Sequence, residues 1–149
     1  MQMDGVLSER RDAENAEKRG GIVMHENEIS ERIIGAAIEV HRILGPGLLE
    51  PVYEESLCHQ FHLRGIQFQR QKPVPIDYKG VKLATDLRLD LLVEDKVIVD
   101  LKAKEHMTDK DLAKTLTYLR LSNKRLGLNM NFHEPRLVDG IVRIVNHLE

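Results

Sequence analysis

Asp90, Asp100 and, two places after the second aspartate, Lys102 stand inside otherwise apolar runs, where a plain sheet would not need charge. The stretch 86–104 reads DLRLDLLVEDKVIVDLKAK. By the two-residue period of a strand, Leu87, Leu89, Leu91 and Val93 share one face and Asp86, Arg88 and Asp90 the other. Val97, Val99, Leu101 and Ala103 alternate in the same way with Ile98, Asp100, Lys102 and Lys104. A hairpin turning through Glu94, Asp95 and Lys96 pairs Val93 with Val97, and counting outward sets Asp90 opposite Asp100 and Arg88 opposite Lys102. Cross-strand Cβ atoms lie roughly 5 Å apart, so two carboxylates there repel one another unless a cation sits between them. A divalent metal is the obvious cation. A loop one residue shorter or longer sends the aspartates to opposite faces, so the inference depends on this register. The same pattern also fits a solvated sheet surface on which Asp90 and Asp100 pair with Arg88 and Lys102, at about 0–1 kcal/mol per pair.

Other elements must bring further groups to this hairpin. A helical stripe of Ile33, Ala37, Val40 and Leu44 begins near Ser30 and stops at Gly45-Pro46-Gly47. A second helix is expected from Glu50-Pro51 to Gly65, with Tyr53, Leu57 and Phe61 at helical spacing. Glu50 thus stands at a helix mouth, where a carboxylate either meets a ligand or simply complements the helix dipole. Residues 66–76, with Pro73 and Pro75, read as an edge strand, and Tyr78-Lys79-Gly80 as a turn leading into the hairpin. Thr108 to Asp111 has the form of a capping box before a helix with Leu112, Leu116 and Leu119 in its stripe and Lys114 and Tyr118 on a neighbouring face. Residues 125–132 read as a strand, and 137–145 as another strand or a short helix. His59 and His62 lack a third ligand nearby and read as a solvent-facing pair, while Cys58 reads as a small buried apolar residue.

The bulk composition narrows the class. With 42% hydrophobic and 31% charged residues in 149, the chain suits a single domain over 26–149, preceded by a disordered tail over 1–25 that mixes charge and glycine without period. Its apolar runs are too short to span a membrane, and one cysteine excludes an internal disulfide, so a cytoplasmic setting is expected. A net charge of −2 excludes a strongly basic nucleic-acid binder, yet residues 1–60 hold 6 basic against 12 acidic side chains and 61–125 hold 14 against 9. The central region therefore has the charge to approach phosphates.

Glu50, then Asp90, then Asp100-Leu101-Lys102 on the adjoining strand, resembles the PD-(D/E)XK nuclease superfamily. Gly47-Leu48-Leu49-Glu50-Pro51-Val52-Tyr53 matches the motif that names the GxxExxY family, a branch of that superfamily. HRILGPGLLE, YEESL, DLLV, VDLKA, TYLRL and LGLNMNF extend the likeness from about Asn27 to Val145. The resemblance implies an α/β fold: a restriction-endonuclease-like core, with a mixed central β-sheet flanked by helices. It also implies Mg²⁺- or Mn²⁺-dependent cleavage of phosphodiester bonds in nucleic acid, DNA in the first place. Asp90, Asp100 and the Leu101 backbone carbonyl would bind the metal, Lys102 would position or activate the attacking water, and Glu50 would act through a second metal or a water. Lys114 and Tyr118 occupy the positions of a Gln and a Tyr in related nucleases, and with Tyr53 and Arg88 they are the expected substrate-binding or supporting residues. Asp100 stands where this family more often has Glu, and Lys114 replaces the Gln. A nuclease-fold module that binds nucleic acid or a protein without cutting it is the rival reading, and a hydrolase of another phosphate ester a third. A homodimer is left open.

Overall fold

The computed structural model describes residues 23–148. In chain order these form α1 (Glu26–Leu44), α2 (Glu50–Leu63), β1 (Phe68–Pro73), β2 (Ile76–Tyr78), β3 (Val81–Leu83), β4 (Arg88–Val93) and β5 (Val97–Lys102). They continue through α3 (Asp109–Ser122), β6 (Leu126–Asn131), a 3-10 turn (Leu137–Gly140) and β7 (Ile141–Val145). Residues 1–22 of the expected tail lie outside the described residues, while Met24 packs against the core and His25 caps α1.

The hairpin adopts the expected register. Val93 pairs with Val97, Leu92 with Ile98 and Leu91 with Val99, around a turn in which Glu94 and Asp95 have φ of 52° and 57° and Lys96 N–H donates to the Val93 carbonyl at 3.0 Å. Positive φ at both central residues gives a turn the twist that antiparallel strands need. β1 adds antiparallel to β4 as an edge strand, β6 runs parallel to β5 through the α3 crossover, and β7 closes the far edge, giving the order β1-β4-β5-β6-β7.

The sheet has a helical layer on each face, which is why its central strands are apolar on both sides. On one face Leu91, Val93, Val97, Val99, Leu101, Leu126, Leu128 and Met130 meet Ile33, Ala37, Tyr53, Leu57 and Phe61 of α1 and α2. On the other, Leu92 and Ile98 meet Leu119 of α3, with Leu116, Tyr118 and Ile144 packed around them. Cys58 is buried, and His59 and His62 are exposed.

Three local expectations need correction. α1 begins at Glu26 rather than near Ser30, because His25 acts as its cap: His25 Nδ1 accepts from Asn27 N–H at 3.0 Å and the Glu28 carboxylate accepts from His25 N–H. The 76–83 segment is a separate two-stranded ribbon, β2 with β3, turned through Lys79 and Gly80 at φ of 51° and 87°. Leu87 and Leu89 do not share the face of Leu91 and Val93 but join the α3-side core. The alternation breaks at Asp90, and the reason lies on the neighbouring strand. Arg70 pairs with Leu91 and Lys72 with Leu89, while Gln71 between them has a φ of 52°. A left-handed residue within a strand, opposite Asp90 in an otherwise unbroken register, interrupts the pleat of the pair.

Candidate active site

That interruption decides how Asp90 is presented. Beyond Leu91 and Val99 the β4–β5 ladder stops, and Asp90 Oδ2 accepts the Leu101 backbone N–H at 2.9 Å, taking the place of a strand-to-strand bond. The two aspartates therefore meet through a sidelong carboxylate rather than by simple cross-strand opposition. Burial pushes the Asp90 carboxyl up to about 7; the Leu101 amide opposes the rise, and the bond and charge of Asp100 add to it. Two carboxylates this close do not both ionise comfortably without a cation.

Asp100 is held on both oxygens. Lys102 Nζ donates to Oδ1 at 3.0 Å, while Asn129 Nδ2 at 3.0 Å and Thr115 Oγ1 at 3.4 Å donate to Oδ2. Burial alone would lower the Lys102 ammonium, but Asp100, Glu50 and Asp90 outweigh it and hold it above the usual lysine range. Lys102 is thus a firmly charged ammonium among three acids.

Glu50 opens α2, with Pro51 behind it in the first turn. Its carboxyl is raised by burial and by Asp100 and Glu54, against the opposing charges of Lys102 and Lys114. Tyr53 explains how this helix mouth is located. Fully buried, it stacks on Phe132 at 4.6 Å, donates its hydroxyl to the Gly45 carbonyl at 2.6 Å and accepts from Leu48 N–H at 3.1 Å. One ring and one oxygen thereby tie the loop before Glu50 to the core, with Gly47 supplying the φ of 101° the loop needs.

The remaining expected residues fall around this centre. Lys114 reaches Glu50 electrostatically and lies 5.4 Å from the centre of the Tyr118 ring. Arg88 turns outward, donating to the Gln71 carbonyl and to Asp86. Leu101 is buried, its N–H engaged by Asp90. Three residues were missed in the sequence. Thr115 and Asn129 reach Asp100 from α3 and β6, and buried Glu54 accepts from Arg70 Nε at 2.6 Å and Gln71 Nε2 at 3.0 Å beside Asp90. Glu54 lies one helical turn after Glu50, a spacing that could have drawn attention to it.

The donor chemistry fits a hard divalent ion, since Asp90 and Asp100 offer oxygen ligands whose mutual repulsion such an ion would relieve. Among the described residues no three His, Cys, Asp or Glu side chains are gathered tightly enough to cage a metal on their own. Mg²⁺ does not require that, because it keeps several waters and shares substrate phosphate with one or two carboxylates.

Comparison with curated proteins and with solved structures returns no significant match. The family model described as the PD-(D/E)XK nuclease superfamily matches residues 27–144, from the first turn of α1 into β7. The matched span holds both helical layers, all five strands of the mixed sheet and the Asp90, Asp100 and Lys102 cluster. The chain belongs to the PD-(D/E)XK nuclease superfamily, with a restriction-endonuclease-like core.

Proposed function

We propose that the protein is a divalent-metal-dependent nuclease of the GxxExxY branch, hydrolysing phosphodiester bonds in nucleic acid, with DNA as the first substrate to test. The observation that carries this reading is the contact of Asp90 with Asp100 beside the charged Lys102. The branch assignment is supported by the work each motif residue does: Gly47 shapes the loop, Glu50 opens α2, and Tyr53 ties the two together.

Asp90, Asp100 and the Leu101 carbonyl would hold Mg²⁺ or Mn²⁺, which when bound supplies positive charge to the reacting phosphate and acidifies water. Lys102 places a second positive charge beside the scissile group and orients the attacking water. Glu50, more basic than a free carboxylate, is suited to accept a proton from that water. Lys114 contacts a flanking phosphate, Tyr118 and Tyr53 support, and Arg88 offers a peripheral cation. The domain is taken as 26–149, acting in the cytoplasm; among the described residues no helix is long and apolar enough to cross a membrane.

The test is Mg²⁺ and Mn²⁺ calorimetry together with cleavage of single- and double-stranded DNA and of RNA. Metal binding and metal-dependent cutting, both lost in Asp100→Ala, support the reading. No metal binding and no cutting, with Asp100→Ala leaving thermal stability unchanged, would sink it. One observation favours a binding-only module, namely a second cation, Lys114 in the Gln position, within electrostatic reach of Glu50 while Asp100 is already paired with Lys102. Salt-dependent nucleic-acid binding without cleavage would decide for that second reading.

A further inference from the structure

Asn129 is fully buried, yet its amide is only half used. Nδ2 donates to Asp100 Oδ2 at 3.0 Å, and Oδ1 has no hydrogen-bond partner. Turning the amide over would not help, because it would set a carbonyl oxygen against a carboxylate oxygen. A buried polar group left half satisfied weakens a core, so its presence calls for a reason. The parallel register supplies one: Asn129 pairs with Asp100 across β5 and β6, so the two side chains leave the sheet on the same face. Thr115, also buried, reaches the same Oδ2 from α3 at 3.4 Å. α3 can come this close because residue 127, two places before Asn129, is glycine; a Cβ there would lie 2.8 Å from Thr115 Cγ2.

We propose that Asn129 and Thr115 are positioning residues: they hold Asp100 by Oδ2, leaving Oδ1, with Lys102, to face the metal. The inference rests on the metal-site reading above. Groups that orient a ligating carboxylate in this way commonly change metal affinity by 10–100-fold when removed.

The experiment measures Mn²⁺ affinity by calorimetry and melting temperature without metal for the full chain and for Asn129→Leu, Thr115→Val, Thr115→Ser and Asp100→Ala. Asn129→Leu removes a donor from a largely buried carboxylate, so its melting temperature without metal is expected to fall, and its Mn²⁺ affinity to fall 10–100-fold. Thr115→Val is expected to lose several-fold, and Thr115→Ser, which keeps the hydroxyl, to recover it. Asn129→Leu that folds and binds Mn²⁺ as tightly as the parent, whatever its melting temperature, would overturn the proposal and leave Asn129 a structural residue. Should Asn129→Leu fail to fold, the Thr115 pair decides: equal affinities in Thr115→Val and Thr115→Ser overturn it. Failure of the parent itself to bind Mn²⁺ would instead refute the metal-site reading on which the inference rests.

Discussion

Asp90→Asn should make the metal-free protein more stable, and increasingly so as pH rises. Asparagine is a permanent copy of the protonated carboxyl: its carbonyl can keep the Leu101 N–H bond and its amide N–H can face Asp100. In the unfolded chain Asp90 ionises with a pKa near 3.8, whereas burial and Asp100 lift it to about 7 in the fold. Between these values the unfolded state has released a proton that the folded state retains. Stability therefore falls with rising pH, by up to about 1.4 kcal/mol per unit, and the loss is complete above the folded value. The shift corresponds to a ceiling of about 4 kcal/mol, and relaxation of the coupled pair makes about 2–3 kcal/mol the expected gain for the variant. At roughly 3–5 °C per kcal/mol for a domain of this size, the melting temperatures in EDTA should nearly coincide at about pH 4. By pH 8 Asp90→Asn should lead by about 6–15 °C. Added Mn²⁺ should raise the parent and close the gap, since a cation between the carboxylates removes the penalty. A difference that is the same at pH 4 and pH 8, or a variant less stable throughout, would refute the claim that Asp90 is held against its own ionisation.

Other substitutions probe the surrounding parts. Lys102→Met should lower cleavage at least about 100-fold by removing a charge from the transition state, while Mn²⁺ binding in calorimetry is retained. Tyr53→Phe deletes the hydroxyl shared by Gly45 and Leu48; urea denaturation should show a loss of about 1–2 kcal/mol, with activity falling as Glu50 loses its anchor. Glu26 is raised by burial but lowered further by its two bonds to Arg125, so its net shift is downward. Its contribution is present at neutral pH and lost as pH falls below 4.5, so Glu26→Gln should cost about 1–2 kcal/mol at pH 7 and flatten the acid limb of the stability curve.

The central hairpin was legible because alternation and a three-residue turn are local properties, and one register satisfied both. Glu50 and Tyr53 were legible through helical spacing after a Gly-Pro-Gly breaker. The interruption at Asp90 was not, because it originates in the backbone of Gln71 on another strand, and glutamine carries no signal for positive φ. Thr115 and Asn129 escaped for a similar reason. Their contact with Asp100 exists only once β6 runs parallel to β5 and α3 crosses the sheet, which no short stretch encodes. The β2–β3 ribbon was hidden by strands of three residues, too short for a period to show. His25 was overlooked as a cap because its ring nitrogen does what Ser, Thr, Asp or Asn usually does.

The bidentate link between Glu26 and Arg125 has a consequence for the order in which the chain can assemble. It closes a span of 99 residues, and Arg143 of β7 reaches back still further to Asn27. The first turn of α1 therefore lacks its bidentate arginine partner until the chain has crossed through α3 to the start of β6, which itself pairs only after that crossover. Contacts of such large sequence separation form late and slow the search for the native state. A bond completed after the folding barrier supports the native state mainly against escape. Glu26→Gln should accordingly speed unfolding while leaving the refolding rate nearly unchanged.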